Sequence, residues 1–282
     1  YCHNPARWLY GGAHLSSGAG PARQQMLVRP GFGLLRRIDR AAARAADVYV
    51  ANSQTVKERI RRTYGIDAVV VPPPVNVERF RPLPRGNRLL VVSRLVPYKH
   101  VDVVVDTANH LGIGLDVIGD GPQLSALRAK AGPTVELHGA LGDSAVVELM
   151  EGCRAVCVAA EEDFGMVSVE AQAAGKPVIA FGRGGSLETV RPGETGVFFS
   201  EHSIDSVSAA ITAAENIDTP PGVIAAHARR FSRSAFRTRL SQLVRAAQDH
   251  GRMRGCGSGA LDSAAMAGPT LAQWPAPRAD PR

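Results

Sequence analysis

From residue 47 onward, short apolar runs alternate with stretches in which apolar positions recur every three or four residues. Val48, Tyr49 and Val50 form the first run, Asn52 and Ser53 a helix cap, and residues up to 62 the helix that follows. Ala68, Val69, Val70 and Val71 make a second run. Strand, helix and strand in that order imply a parallel pair, because parallel strands need a crossover whereas antiparallel ones need only a hairpin. Pro72, Pro73 and Pro74 cannot continue a sheet, and the stretch to Pro84 reads as a stiff connector between domains.

Beyond the connector the alternation runs for about a hundred residues. Residues 89–92 are a continuous apolar strand, and Val101, Val104, Val105, Ala108 and Leu111 mark one face of the next helix. Strands follow over 115–118, 135–138, 155–158 and 177–180, with helices predicted over 122–130, 143–150 and 166–174. Continuously apolar strands are buried on both faces. The pattern therefore predicts a doubly wound α/β domain around a parallel sheet, with no internal repeat. A ligand belongs outside the carboxyl ends of such strands, where the loops carrying Arg94, Gly119, Gly139 and Glu162 converge.

Composition adds little to the fold but narrows the partners. The 282 residues are 45% hydrophobic, enough for a proper core, and no apolar run approaches a membrane span. The opening Tyr1-Cys2-His3-Asn4-Pro5 lacks the charged and apolar regions of a signal peptide, so a cytoplasmic protein is expected. It is not a methionine start and lies inside a motif, which points to a fragment. Four cysteines make no disulfide framework, and Cys153 and Cys157 are expected to be buried free thiols. A net charge of +7 favours anionic partners such as nucleotides, acidic lipid surfaces or nucleic acid. In residues 33–46, Leu34, Leu35, Ile38 and Ala42 fall at helical spacing while Arg36, Arg37, Arg40 and Arg44 take the rest of the circumference. That pattern fits an ordinary solvated helix, the preferred reading, or a helix lying on a membrane surface. Residues 251–282 have no periodicity and read as a disordered tail.

The strongest chemical signal is Glu162-Asp163-Phe164-Gly165-Met166-Val167-Ser168-Val169-Glu170, followed by Ala171 through Gly175-Lys176-Pro177-Val178. Gly165 lets the backbone approach a ligand, and the free amides of Met166 and Val167 at the start of a helix can hold a phosphate oxygen. At helical rise the two glutamates stand roughly 10 Å or more apart and meet different parts of one ligand. A second signal is Ser93-Arg94-Leu95-Val96-Pro97-Tyr98-Lys99, which places two fixed cations at a strand end. Such cations neutralise the charge that grows on a departing diphosphate. Gly119-Asp120-Gly121-Pro122, His138-Gly139 and Gly182-Arg183-Gly184-Gly185-Ser186 add weaker turns at strand and helix ends.

These segments resemble glycosyltransferase family 4, from about Tyr1 to Ala214. The nine residues from Glu162 to Glu170 match its E-x(7)-E signature, and residues 93–99 its S-R-L-x-x-x-K element. Cys2-His3-Asn4-Pro5 looks like a segment found in a mannosyltransferase-like branch. The resemblance implies a GT-B fold: a doubly wound Rossmann-like donor domain preceded by part of a Rossmann-like acceptor-side domain. It implies that Glu162 contacts the transferred sugar, Glu170 the ribose hydroxyls, and Arg94 and Lys99 the diphosphate. His3 becomes the catalytic-site histidine. Gly119, Asp120, Gly121, His138, Gly139, Phe164, Gly165, Met166 and Val167 fill out the donor pocket.

The expected domains are residues 1–83, acceptor-side domain and connector, and 84–250, donor domain with closing helices. The expected reaction is a retaining transfer of mannose from GDP-mannose, with a UDP-sugar as the alternative donor. The acceptor is a glycan or a lipid-linked glycan; peripheral contact with an anionic membrane is a further expectation, and nucleic acid is not an expected partner. No D-x-D triplet occurs, so no metal cofactor is expected and Arg94 with Lys99 would take its place. Binding of a nucleotide sugar without transfer is the alternative. A glycoside hydrolase using Glu162 and Glu170 is weaker, because their spacing is too wide and the cations would have no role. A dinucleotide oxidoreductase is weaker still, because no G-x-G-x-x-G follows a strand.

Overall fold

The computed structural model describes residues 1–10 and 22–254, with side chains from 32 to 249 in the longer stretch. The chain divides into two compact units. The first holds residues 1–73 and resumes at Phe236, and the second spans Pro74–Ala235.

In the first unit, α1 (Arg7–Tyr10) and α2 (Ala22–Arg44) precede β1 (Val50–Ala51), α3 (Gln54–Tyr64) and β2 (Val69–Val70). β1 and β2 are parallel, and Cys2 bridges to the free side of β1, its amide donating to the Val50 carbonyl at 2.7 Å. The capping pair resolves to Ser53, whose Oγ accepts from the Val56 amide at 3.0 Å, and Gly65 ends the helix at φ 70°. Ala43, Ala51, Val56, Ile60, Tyr64 and Ala68 form the core of this unit.

The arginine-rich helix leaves both its apolar stripe and its arginines exposed. Leu34, Leu35 and Ile38 are 63%, 41% and 56% exposed, and Ala42 is exposed as well. Three of the four arginines reach protein carbonyls instead. Arg36 Nε donates to Leu9 O (3.0 Å), Arg40 Nε to Thr63 O (3.1 Å) and Arg44 Nη2 to Tyr64 O (3.5 Å). The last two carbonyls lie at the C-terminal end of α3, where the helix dipole favours a cation, and the arginines that reach these carbonyls remain exposed themselves.

The second unit is built on β3 (Leu89–Val92), α4 (Val101–Leu111), β4 (Leu115–Ile118), α5 (Leu124–Lys130), β5 (Val135–Gly139), α6 (Asp143–Gly152), β6 (Ala155–Val158), α7 (Met166–Ala173), β7 (Val178–Phe181), α8 (Ser186–Thr189), β8 (Gly196–Phe199), α9 (Ile204–Glu215) and α10 (Pro221–Ala228). All six strands are parallel, in the order β5-β4-β3-β6-β7-β8. β6 and β7 are buried along their whole length, as their unbroken apolar runs require, and so is β4, whose Asp116 is met by Arg88 and His138. α4, α5 and α9 pack one face through Val104, Ala108, Leu127 and Ile211, while α7 packs against β6 and β7. Cys153 and Cys157 are free, buried thiols, pushed up to about 12 by burial. β8 lay beyond the elements read from the pattern.

The boundary differs from the expected one. Residues 74–85 belong to the second unit because four attachments tie them there. The Val75 amide donates to Phe231 O at 2.9 Å, Arg79 pairs with Glu170, Arg81 pairs with buried Glu151 at 2.7 Å, and Lys176 Nζ donates to Leu83 O and Pro84 O at 3.0 and 2.5 Å. At the other end α11 (Arg233–Arg254) carries the chain into the first unit from Phe236, rather than closing the second. It also runs through the start of the expected tail; residues 255–282 lie outside the described residues.

Lys176 is fully buried, and desolvation lowers its pKa. Lys176→Met should lower unfolding free energy by roughly 2 kcal/mol, since the volume is kept while a charged donor is removed from two carbonyls. Urea unfolding measures this, and an unchanged midpoint would show that the connector is held by its other contacts alone.

Candidate functional site

The strand order changes direction between β3 and β6. The chain leaves β3 through α4 toward β4 on one side, and leaves β6 through α7 toward β7 on the other. Loops diverging from adjacent parallel strands open a crevice at their carboxyl ends. Ser93, Lys99, Ala159, Ala160, Glu162 and Val167 line a cleft there.

Lys99 ends a 3-10 turn (Pro97–Lys99) after β3, and its Nζ lies 2.6 Å from Glu162 Oε1. Both side chains are largely covered, at 14% and 27% exposure. The structure thus brings together the cation and the first glutamate of the two motifs and pairs them with each other. Arg94 is exposed and donates to the Tyr98 hydroxyl at 2.7 Å.

Glu162 is followed by a loop pinned to the turn before α8: the Gly185 amide donates to Glu162 O at 2.7 Å. Gly165 then takes φ 89° and starts α7, and Met166 is 52% exposed at its first position. Phe164, named among the donor-pocket residues, departs from that expectation in its side chain. Its ring is 3% exposed and packs on Phe231 at 5.4 Å, because the loop anchors itself through its aromatic residue, and only its backbone is left for a ligand.

Two turns along α7, Glu170 accepts from Arg79 Nη2 at 2.9 Å. Burial raises the Glu170 pKa, and Arg79 opposes the rise. Arg79 was not among the residues singled out from the sequence. It sits 91 positions away in the connector, and no local pattern marks it as a partner of Glu170. The two glutamates therefore answer to separate cations, an arrangement unlike a facing acid–base pair.

Gly119 and Gly121 have φ 138° and 154°, and a Cβ on either would collide with the carbonyl of Ser93 or Leu95. Their lack of side chains is needed to bring the β3 and β4 loops together, whatever else they contact. Asp120 Oδ1 accepts from the Gly121 amide at 2.7 Å, and the Gly119 amide donates to Gly139 O at 2.8 Å. His138 Nε2 lies 2.8 Å from Asp116 Oδ1. Asp116, Glu136 and His138 bring possible metal-ligand atoms within 4.8 Å of one another. Arg88 already supplies the cation, at 2.8 Å from Asp116 and 3.2 Å from Glu136. His3 belongs to the first unit, where it is exposed and lies edge-on to Tyr1 at 5.2 Å.

Comparison with known proteins gives a consistent picture. Residues 76–236 match the family model for glycosyl transferases group 1, and residues 1–79 that for glycosyltransferase family 4. The chain is 33% identical over 226 residues to a D-inositol 3-phosphate glycosyltransferase of Rhodococcus jostii, covering 67% of this chain and 49% of that protein. It is 32% identical over 213 residues to a GDP-mannose-dependent alpha-(1-6)-phosphatidylinositol monomannoside mannosyltransferase of Mycobacterium tuberculosis, covering 62% and 54%. The chain spans about half the length of these curated relatives. Anabaena HepE in complex with UDP-glucose superposes with a TM-score of 0.65 at 21% identity, over 75% of this chain and 67% of its own. Sucrose-phosphate synthase from Thermosynechococcus elongatus gives 0.66 at 21%, over 76% and 62%. These structural likenesses establish the fold, the GT-B type with its parallel Rossmann-like sheet.

The Arg79–Glu170 pair makes a prediction that needs no ligand. A raised carboxyl pKa means the folded state holds the proton more tightly, so this group's contribution to stability declines as pH rises from the usual carboxylate value through the raised one. Arg79→Met removes the opposing cation and should move the Glu170 titration to still higher pH, followed by the carboxyl carbon shift in NMR. A downward or absent movement would show that Arg79 does not set the charge of Glu170.

Proposed function

Because the chain belongs to the glycosyl transferases group 1 family, we propose that the crevice between β3 and β6 binds a nucleotide sugar and that the protein transfers its hexose to a glycan or lipid-linked acceptor. The observation that carries this reading is the Lys99–Glu162 pair at 2.6 Å, a covered cation and carboxylate that an incoming donor can exchange for its own groups. Lys99 then turns to the diphosphate, joined by Arg94, while Glu162 accepts from the sugar hydroxyls. Glu170, held by Arg79, accepts from the ribose hydroxyls, and the amides of Met166 and Val167 face the distal phosphate.

In this reading the bond between the anomeric carbon and the diphosphate breaks as the acceptor oxygen bonds to the same face of that carbon. The acceptor proton passes to the departing phosphate oxygen, and the configuration is retained. Lys99 and Arg94 stabilise the charge that grows on the leaving group. No metal cofactor enters the scheme. The reading of mannose from GDP-mannose draws on the Mycobacterium relative, whose name specifies that donor. His3 is assigned to the transferred sugar by the resemblance of its segment.

An anionic lipid surface is the proposed setting of the acceptor. The outward stripe of Leu34, Leu35 and Ile38, with Arg37 beside it, supports this. Among the described residues no helix is long and apolar enough to cross a membrane.

Thermal unfolding with GDP, GDP-mannose, UDP and UDP-glucose tests the donor site. At about a hundred times its dissociation constant the true ligand should add roughly 2.7 kcal/mol, an effect lost in Glu170→Gln and Lys99→Met. Stabilisation by the uridine compounds alone would replace the donor. In turnover assays Lys99→Met should reduce kcat by about a hundredfold or more, with a chelator leaving the wild type unaffected. Stabilisation without any turnover would leave a binding protein. Co-sedimentation with phosphatidylglycerol vesicles should fall when Leu34 and Ile38 are both changed to Ser, and equal partitioning of wild type and variant would remove the lipid surface from the scheme.

A further inference from the structure

His100 follows Lys99 and is, among the described residues, the one non-glycine residue at positive φ (51°, with ψ 35°). It joins the turn carrying Lys99 to α4, so its backbone sets how that turn enters the helix. A side chain in this region costs about 1 kcal/mol that glycine would avoid. The ring therefore needs a reason to be there.

The His100 ring stacks on His202, with centroids 3.7 Å apart and planes at 19°. His202 comes from the loop between β8 and α9, lies on Phe181 at the end of β7 with centroids 4.2 Å apart, and brings its Nε2 within 2.7 Å of the Ala159 carbonyl. A carbonyl only accepts, so that nitrogen carries a hydrogen. Ala159 follows β6, lines the cleft and lies three residues before Glu162. The two imidazoles thus link the residue after Lys99 to the backbone that leads to Glu162.

We propose that the His100–His202 stack is a positioning pair for the diphosphate subsite, holding the Lys99 turn against the loop that carries Glu162. This rests on the reading of Lys99 as a diphosphate ligand. The pair acts through placement rather than through charge. Burial, and after it the facing His202, lowers the His100 pKa, with Asp102 opposing. Around the stack lie Lys99 on the same turn, Asp102 in the first turn of α4, Arg183 against Phe181, and Glu201 and Asp205 flanking His202 in the chain.

The decisive variant is His100→Gly, which removes the ring and relaxes the backbone. A residue that merely filled this turn would be replaced at no loss. Calorimetric titration with GDP and GMP, and with UDP and UMP, reads the preference for the diphosphate. The wild type should prefer the diphosphate of its nucleotide, and His100→Gly should lose about tenfold of affinity for it, with the monophosphate unchanged and the unfolding midpoint equal or higher. His202→Phe, which keeps a ring and loses the hydrogen bond, should fall between. A preference retained in His100→Gly, or equal losses for diphosphate and monophosphate, overturns the positioning role and leaves the donor site standing. A wild type without any preference for the diphosphate removes the role of Lys99, and the positioning role with it.

Discussion

The candidate site depends on one topological fact: β3 and β6 are parallel neighbours whose crossovers run to opposite sides. Their register pairs Leu89 with Ala155 and Leu90 with Val156. Pairing at that end fixes where both strands emerge, so the turn carrying Lys99 and the loop carrying Glu162 arrive at one edge of the sheet. Right-handed crossovers to either side leave that edge open. Side chains separated by 63 residues then meet at hydrogen-bond distance.

Around this edge, charges come in pairs that do different work. Lys99 with Glu162 sits in the crevice. Arg79 with Glu170, and Arg81 with Glu151, fasten the connector to the second unit. Lys176 does the same without a carboxylate, by giving its protons to two connector carbonyls. Arg79 belongs to both groups, because the carboxylate it steadies lies on the helix whose N-terminus faces the crevice. A buried carboxylate is costly when charged, and a fixed guanidinium lowers that cost while leaving the second oxygen available.

In the first unit the apolar stripe and the arginines of α2 are both exposed. Arginines were the polar face of α2 by periodicity, yet Arg36, Arg40 and Arg44 turn to protein carbonyls while Leu34, Leu35 and Ile38 meet solvent. The C-terminal carbonyls of α3 are strong acceptors, and a long guanidinium side chain can reach them while staying exposed. Hydrophobic periodicity reports that a helix has two faces. It does not report which one is buried, and here both the apolar stripe and the arginines are exposed.

Much of the architecture was legible because its signals are local. Continuous apolar strands, the helices between them and the glycines at φ 138° and 154° follow from burial on both faces and from close backbone approach, which neighbouring residues specify. The motif glutamates and the cations of residues 94 and 99 were readable for the same reason. What the sequence left open were pairings between distant segments: Lys99 with Glu162, Arg79 with Glu170, and the return of residues from 236 to the first unit. The ring of Phe164 likewise takes its place only against Phe231. The sequence by itself determined a parallel α/β sheet with a charged crevice at its carboxyl edge. Only the tertiary structure decided which charges share that crevice, because Coulomb and hydrogen-bond energies depend on separations in space, and strand order sets those separations.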